Sequence, residues 1–369
     1  MTENAEIDRL NNVGQTQNFD VRKPLNMKIS TVGQLIGRAV CAGAMLLLVG
    51  TMNAQTQYIY TTLSVPEGGS TYAMGISGNN IVGNYSDGNN WHGFLYDGNS
   101  YTTLDVPGAA WTFADGIDGN NIVGSYNGLG FRYNGNSYIP FNGPGASITE
   151  AHGVSGNNIV GWYFDGSYHG FIFSGFLDYY GRSYTTLNVP WGSYDTYASG
   201  ISGNNIVGYY HDPNSPYTDH GFLYNGSTYT ALDVPGAVGD GTRALAISGN
   251  NIVGYYQVGN THHGFLYNGS TYTDLDVPGA DYFTAATGID GNNIVGYYYD
   301  GSNMRGFIAT PVPEPSFLAL LAVGAAALLV CRRRAIPAPP ESVKPSNFRR
   351  EKFHLILQLT SNKGAVTGQ

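Results

Sequence analysis

No lysine and no cysteine occur between Gln55 and Pro311. The 369-residue chain has only two cysteines, Cys41 and Cys331, and each lies in an apolar segment. A disulfide framework or a thiolate metal site is therefore excluded from the intervening body. That body spans about 250 residues, enough to bury a core without cross-links. Charge is sparse, at 12% of residues, and it is segregated. From Gln55 to Pro311, 19 Asp and Glu face four arginines: Arg132, Arg182, Arg243 and Arg305. An acidic body of this kind excludes nucleic acid as a partner, because phosphate backbones require a positive surface. What is abundant is glycine (52) and tyrosine (29). Gly and Asn punctuate, while Tyr, Val, Ile and Thr fill, which is the usage of short strands joined by tight turns.

The two ends differ from the body. Met27-Lys-Ile-Ser opens a segment with Lys28 and Arg38, followed by an apolar run from Ala39 to Gly50 and by Met52-Asn-Ala54. A charged start, an apolar centre and a small residue at the cut describe a secretory signal over 27–54, with cleavage by signal peptidase after Ala54. Residues 1–26 then form a misassigned or cytoplasmic lead; the alternative is an uncleaved amino-terminal anchor. At the other end, Val312-Pro-Glu-Pro-Ser precedes a 15-residue apolar run, Phe317 to Cys331, and then Arg332, Arg333 and Arg334. That length is marginal for a span of roughly 17–25 residues. Snorkelling arginines extend its reach, so a transmembrane helix is expected over 316–331. After Cys331, eight Lys and Arg stand against two acids. Residues 335–369 are accordingly read as a disordered, basic cytoplasmic tail.

Pro-Glu-Pro, a short apolar helix and an arginine cluster, in this order, resemble the PEP-CTERM sorting signal of Gram-negative bacteria. The resemblance implies recognition by an exosortase through Pro313, Glu314 and Pro315, with Arg332, Arg333 and Arg334 as the stop. It also implies a route through the inner membrane to the cell surface, and an association with exopolysaccharide.

Between these ends a unit occurs six times. Its Gly-Asn-Asn tripeptide begins at Gly78, Gly119, Gly156, Gly203, Gly249 and Gly291, at spacings of 41, 37, 47, 46 and 42. Such a period is that of a propeller blade, and it is well above that of leucine-rich solenoids. Each unit holds four short runs: Ala-x-Gly-Ile, Asn-Ile-Val-Gly-Tyr, Gly-Phe-Leu-Tyr, and Tyr-Thr-x-Leu-Asp-Val-Pro. Asn-Gly or Asp-Gly steps between them favour type I′ hairpins. The last copy stops after Gly306-Phe-Ile and lacks a fourth strand, whereas a spare one stands first, Tyr60 to Pro66. The expected fold is all-β: a six-bladed β-propeller of four-stranded antiparallel blades over 55–311, closed by the amino-terminal strand. An open β-solenoid is the alternative. The copies are also similar to HAF-type repeats of bacterial surface proteins, which implies an extracellular location.

Function is sought where the copies differ. The loops after the second and fourth strands, on one face of the disc, vary most in length, and varied loops on a rigid scaffold suit binding. Trp91, Trp111 and Trp191 fall in these loops. They are the candidate ligand-binding residues, their indoles stacking on sugar rings; capping of the blades is the alternative. His92, His169, His220 and His263 precede Gly-Phe in four copies. Spread around a ring, they suit blade packing rather than a metal site. The Asp-Gly steps at Asp87, Asp165 and Asp300 lack the spacing of calcium loops and suit turns. No cofactor, metal or catalytic set is expected. Glu150 and His152 are near one another and share a strand face, a weak acid–base signal. The expected function is that of an exported, surface-sorted structural or adhesive protein that binds glycan or protein through the variable face. The alternative is a propeller hydrolase of lactonase or glycoside hydrolase type. A deep axial pocket with converging acids and a histidine would favour the enzyme; a shallow aromatic surface would favour binding.

Overall fold

The computed structural model describes residues 57–312, except 67, 176–182 and 193–194, together with 325, 326 and 329. The signal segment, the sorting residues from Pro313 onward and the tail lie outside the described residues, as does most of the helix expected over 316–331. Among the described residues, no helix is long and apolar enough to cross a membrane. Gln55–Pro313 forms one unit of structure.

The described strands form six four-stranded antiparallel sheets. Their first strands are Ser70–Ser77, Thr112–Asp118, Ile148–Ser155, Thr196–Ser202, Thr242–Ser248 and Thr284–Asp290, in blades 1 to 6. These six line the axis. In blades 1 to 5 the four strands follow in chain order, whereas blade 6 borrows its outer strand. That strand, Tyr58–Leu63, pairs with Met304–Pro311 from Tyr58 opposite Pro311 to Leu63 opposite Gly306. The expected latch therefore begins two residues earlier and ends before Pro66. The Val65 amide leaves the ladder and donates to Thr71 Oγ1 at 3.1 Å. The same bond to the threonine at the start of a first strand recurs at Val106, Val189 and Val234.

Each blade packs through one invariant ring. Phe94, Phe131, Phe171, Phe222, Phe265 and Phe307, the aromatic residues of Gly-Phe, are all fully buried. They sit among Ile and Val of the second strand and the Leu of the fourth. The turns between third and fourth strands differ from the expected type I′. Only Gly98 has positive φ, at 95°, and Asp97 does not. Instead the Asp97 carboxylate accepts the amides of Asn99 and Ser100, each at 2.8 Å, so a side chain replaces the second strained residue.

Neighbouring blades are joined at both levels of the axis. At the first hairpin, the residue before Gly-Asn-Asn accepts an amide hydrogen from the next blade. Ser77 accepts from Gly119, Asp118 from Gly156, Ser155 from Gly203, Ser202 from Gly249 and Ser248 from Gly291. Asp290 accepts from Gly78 at 2.7 Å and completes the circle. Further in, the first strands touch backbone to backbone. A Cβ on Gly116 would lie 2.4 Å from the His152 carbonyl oxygen, and one on Gly288 would lie 2.8 Å from that of Met74. An open solenoid has neither closing contact.

Gly116→Ala is expected to cost about 3 kcal/mol, because the opposing atom is backbone and cannot turn aside. Gly69→Ala, whose nearest neighbour is Ser86 O at 3.7 Å, is the control and should be near neutral. Denaturant midpoints measure both, and equal shifts would contradict the tight axial contact.

Candidate functional site: the axial pocket

Every first strand breaks register at the x of Ala-x-Gly-Ile. The pairing shifts between Ala73 and Gly75, Ala114 and Gly116, Ala151 and Gly153, Ala198 and Gly200, Ala244 and Ala246, and Ala286 and Gly288. A bulged residue has no ladder partner and is re-aimed. Here all six face the axis: Met74, Asp115, His152, Ser199, Leu245 and Thr287. Two residues earlier in the same strands, Glu150, Tyr197 and Arg243 also face it, and Trp162, Tyr209, Tyr255 and Tyr297 join them from second strands. Together these side chains line a pocket of about 270 Å³. The residues stand early in first strands and late in second strands. The pocket therefore lies toward the face that carries the loops of varied length.

The pocket has two chemically different sides. On one, His152 lies between two carboxylates, with Nε2 3.6 Å from Glu150 and Nδ1 3.7 Å from Asp115. Asp115 is only 8% exposed and accepts from Asn84 Nδ2 at 2.9 Å. Burial pushes its carboxyl up to about 6, although His152 and the Asn84 amide pull downward. Burial lowers His152, but its pairing with Glu150 and the charge of Asp115 outweigh that and leave the imidazole raised. A histidine with a raised pKa beside a buried carboxyl held at about 6 can hold and pass a proton.

On the other side stands Arg243. Its guanidinium lies 4.7 Å from the Tyr209 ring centre and 5.6 Å from that of Tyr255. Its Nε donates to Asp219, which is 2% exposed and also pairs with His211 Nδ1. Burial pushes the Tyr209 hydroxyl up to about 12, against the pull of Arg243, so it is a neutral donor at physiological pH.

Aromatic contacts run around most of the rim. Trp111 meets Phe113 at 4.9 Å, Phe113 meets Trp91 at 5.7 Å, and Trp91 meets Tyr72 at 5.5 Å. Tyr72 meets Tyr297 at 4.8 Å, and Tyr297 stacks on Phe283. Across the pocket, Tyr209 stacks on Tyr197 at 4.7 Å, and Tyr197 meets Trp162 at 5.8 Å. Of the three expected tryptophans, the structure thus brings Trp91 and Trp111 together at the pocket's edge. Trp191 is apart, 47% exposed, its Nε1 donating to the Tyr210 hydroxyl at 3.0 Å.

The histidines before Gly-Phe lie away from the axis. His92 Nδ1 is 2.8 Å from Asp105, His263 Nδ1 is 2.8 Å from Asp276, and His220 and His169 pair likewise with Asp233 and Asn188. Each also packs on a tyrosine of the second strand, as His92 does on Tyr85 at 5.0 Å. These are blade-packing contacts. Asp87 and Asp300 each hold two amides of their own turn.

Loop length pointed to the face toward which this pocket lies, but not to most of the residues that line it. The missed signal lay inside the repeat: x is the variable residue in an otherwise nearly constant Ala-x-Gly-Ile. Glu150 and His152 were visible as a sequence pair, whereas Asp115 and Arg243 come from other blades.

Residues 311–334 match the PEP-CTERM protein-sorting motif. The last strand ends at Pro311, where this motif begins. A PEP-CTERM motif implies an exported protein processed by an exosortase. No curated protein matches the chain in sequence. Among solved structures, it is similar to the SapL1 lectin in complex with alpha methyl fucoside, at 14% identity and TM-score 0.44, over 68% of this chain and 98% of that one. It is also similar to the β-propeller domain of the Trilobed protease from Pyrococcus furiosus, at 9% identity and TM-score 0.38, over 66% and 98%. A third is the virginiamycin B lyase from Staphylococcus aureus, at 10% identity and TM-score 0.37, over 69% and 100%. At such scores these likenesses carry no functional argument.

Asp115 generates a pH prediction. A carboxyl whose pKa rises from 3.8 to about 6 on folding contributes stability that is present below 3.8 and lost as pH rises through 6. The loss amounts to about 3 kcal/mol at most. Asp115→Asn should therefore be the more stable protein at pH 7.5, with the difference vanishing near pH 4. Thermal midpoints across that range measure it; a difference that does not change with pH would contradict the burial argument.

Proposed function

We propose that this PEP-CTERM protein is a surface-sorted, glycan-binding adhesive component of an exopolysaccharide matrix, and that the axial pocket is its binding site. The observation that supports this most is the pocket's wall: aromatic faces interleaved with acid, hydroxyl and guanidinium groups. Sugars present C–H faces that stack on aromatic rings and hydroxyls that seek such polar partners. The apolar segment 316–331 holds the chain in the inner membrane until the exosortase cuts, after which the propeller passes to the cell surface. Trp91 and Trp111 extend the contact surface outward from the rim, and Trp191 adds a separate exposed indole.

A glycan array on the purified protein tests the reading. Binding is expected, and Trp162→Ala should weaken it at least tenfold while the fold is kept. Replacing Trp91, Trp111 and Trp191 together should weaken binding to longer glycans; intact binding would remove these tryptophans from the site. Replacing Pro313, Glu314 and Pro315 with alanine should leave the carboxyl terminus uncut, as read by mass spectrometry of the membrane fraction.

A second reading is favoured by Asp115, His152 and Glu150. Two carboxylates and a histidine that converge in an axial pocket are the arrangement of a hydrolase using general acid–base catalysis. This is the arrangement that the sequence criterion assigned to the enzyme. The three groups are, however, paired with one another, and five aromatic rings share the wall with them, so binding is kept as the primary reading. Release of reducing ends from a bound glycan, abolished by Asp115→Asn, would favour the enzyme instead.

A further inference from the structure

We infer that the axial pocket takes the terminal, carboxylate-bearing residue of an acidic glycan, with Arg243 as the anchor of that carboxylate. This rests on the reading that the pocket binds glycan, and it adds the ligand's charge and the way it enters.

Arg243 is the observation that leads there. It is the one arginine that lines the pocket. Arg305 is turned to Asp300 and Ser64, and Arg132 to Asn121, both on third strands. Two tyrosine rings hold the Arg243 guanidinium from its sides, and Asp219 holds Nε. No hydrogen bond from Nη1 or Nη2 to a protein acceptor occurs among the described residues. A guanidinium fixed in this way has lost its freedom before the ligand arrives, and its free edge matches the two oxygens of a carboxylate.

The opposite side restricts the anion. Asp115 belongs to blade 2, which stands across the ring from blade 5 and Arg243. Beside it are His152 and Glu150 of blade 3. A phosphate dianion would bring its second charge toward these carboxylates. A uronic acid carries one charge at one end of its ring and hydroxyls elsewhere. The carboxylate meets Arg243, the hydroxyls donate to Glu150 and Asp115, and the ring lies along Trp162 or Tyr197.

The depth of the pocket decides the mode of entry. Beyond the six bulged residues the axis narrows at the ring of close backbone contacts to a space of about 70 Å³. That is room for about two waters, and a sugar chain cannot thread through it. A pocket of about 270 Å³ with a blind end holds one residue, the terminal one.

The test uses calorimetry on the full-length protein, with oligoglucuronates and oligogalacturonates, the same oligomers after reduction of their carboxylates to alcohols, and inorganic phosphate. The acidic oligomers are expected to bind at least tenfold more tightly than the reduced ones, with one oligomer bound per protein whatever the oligomer's length. Arg243→Lys, which keeps the charge but loses the fork, should lose at least tenfold for the acidic oligomers and little for the neutral ones. The reduced ligands test the inference on the unaltered protein, so a poorly folded variant does not protect it. Equal binding of acidic and neutral oligomers, or phosphate displacing the uronates as a tighter ligand, overturns the inference and leaves the glycan reading standing. Binding to neither overturns both.

Discussion

Six backbone amides, each held by a side chain of the preceding blade, determine how the first strands stand around the axis. The acceptor is Ser77, Asp118, Ser155, Ser202, Ser248 or Asp290, and the donor is always the glycine that opens the next hairpin. The bond from Gly78 to Asp290 joins residues 212 positions apart in the chain. It forms only when the ring is closed. Closure in turn depends on Tyr58–Leu63 completing blade 6, where Leu63 is buried and Tyr60 packs on Phe307 at 5.7 Å. With the first strands held this closely, an extra atom at Gly116 or Gly288 meets backbone.

The same constraint makes the functional site possible. Strands pressed together at their glycines leave no room for the preceding residue in the ladder, so it bulges toward the axis. The positions occupied by Ala and Gly on either side are committed to packing, while the bulged one is released from it. Evolution of the pocket can therefore proceed one residue per blade without disturbing the sheet. In this chain those six positions hold a thioether, a carboxyl, an imidazole, two hydroxyls and an isobutyl group. Asp115 and His152 bring neighbouring blades into electrostatic contact at 3.7 Å. Arg243 is supported in the same way from blade 4, by Tyr209 and Asp219.

Burial gives the charged groups their weight here. In a body without lysine and with few arginines, Arg243 and, when protonated, His152 supply the positive charge that faces the pocket. The surrounding rings exclude water and raise the cost of an unpaired charge. Each charged side chain accordingly has a protein partner: Glu150 and Asp115 for His152, and Asp219 for Arg243.

The sequence by itself determined the blade count, the four strands per blade, the latch and the sorting motif, because each is a local pattern repeated or placed at a chain end. Gly-Asn turns, Gly-Phe cores and the offset between first and last copies can be read without knowing any distance. The histidines before Gly-Phe could likewise be assigned to packing, since a residue that recurs at one repeat position in four copies is spread around a ring. The hairpin type was misread, because Asp97 satisfies its turn through a side chain that composition does not orient. The pocket was decided by tertiary structure alone. Its residues come from Met74 to Tyr297, more than 200 positions apart, and they meet only because the ring closes. Which of two alternating strand faces looks down the axis depends on the bulge, and the bulge depends on contact with the neighbouring blade.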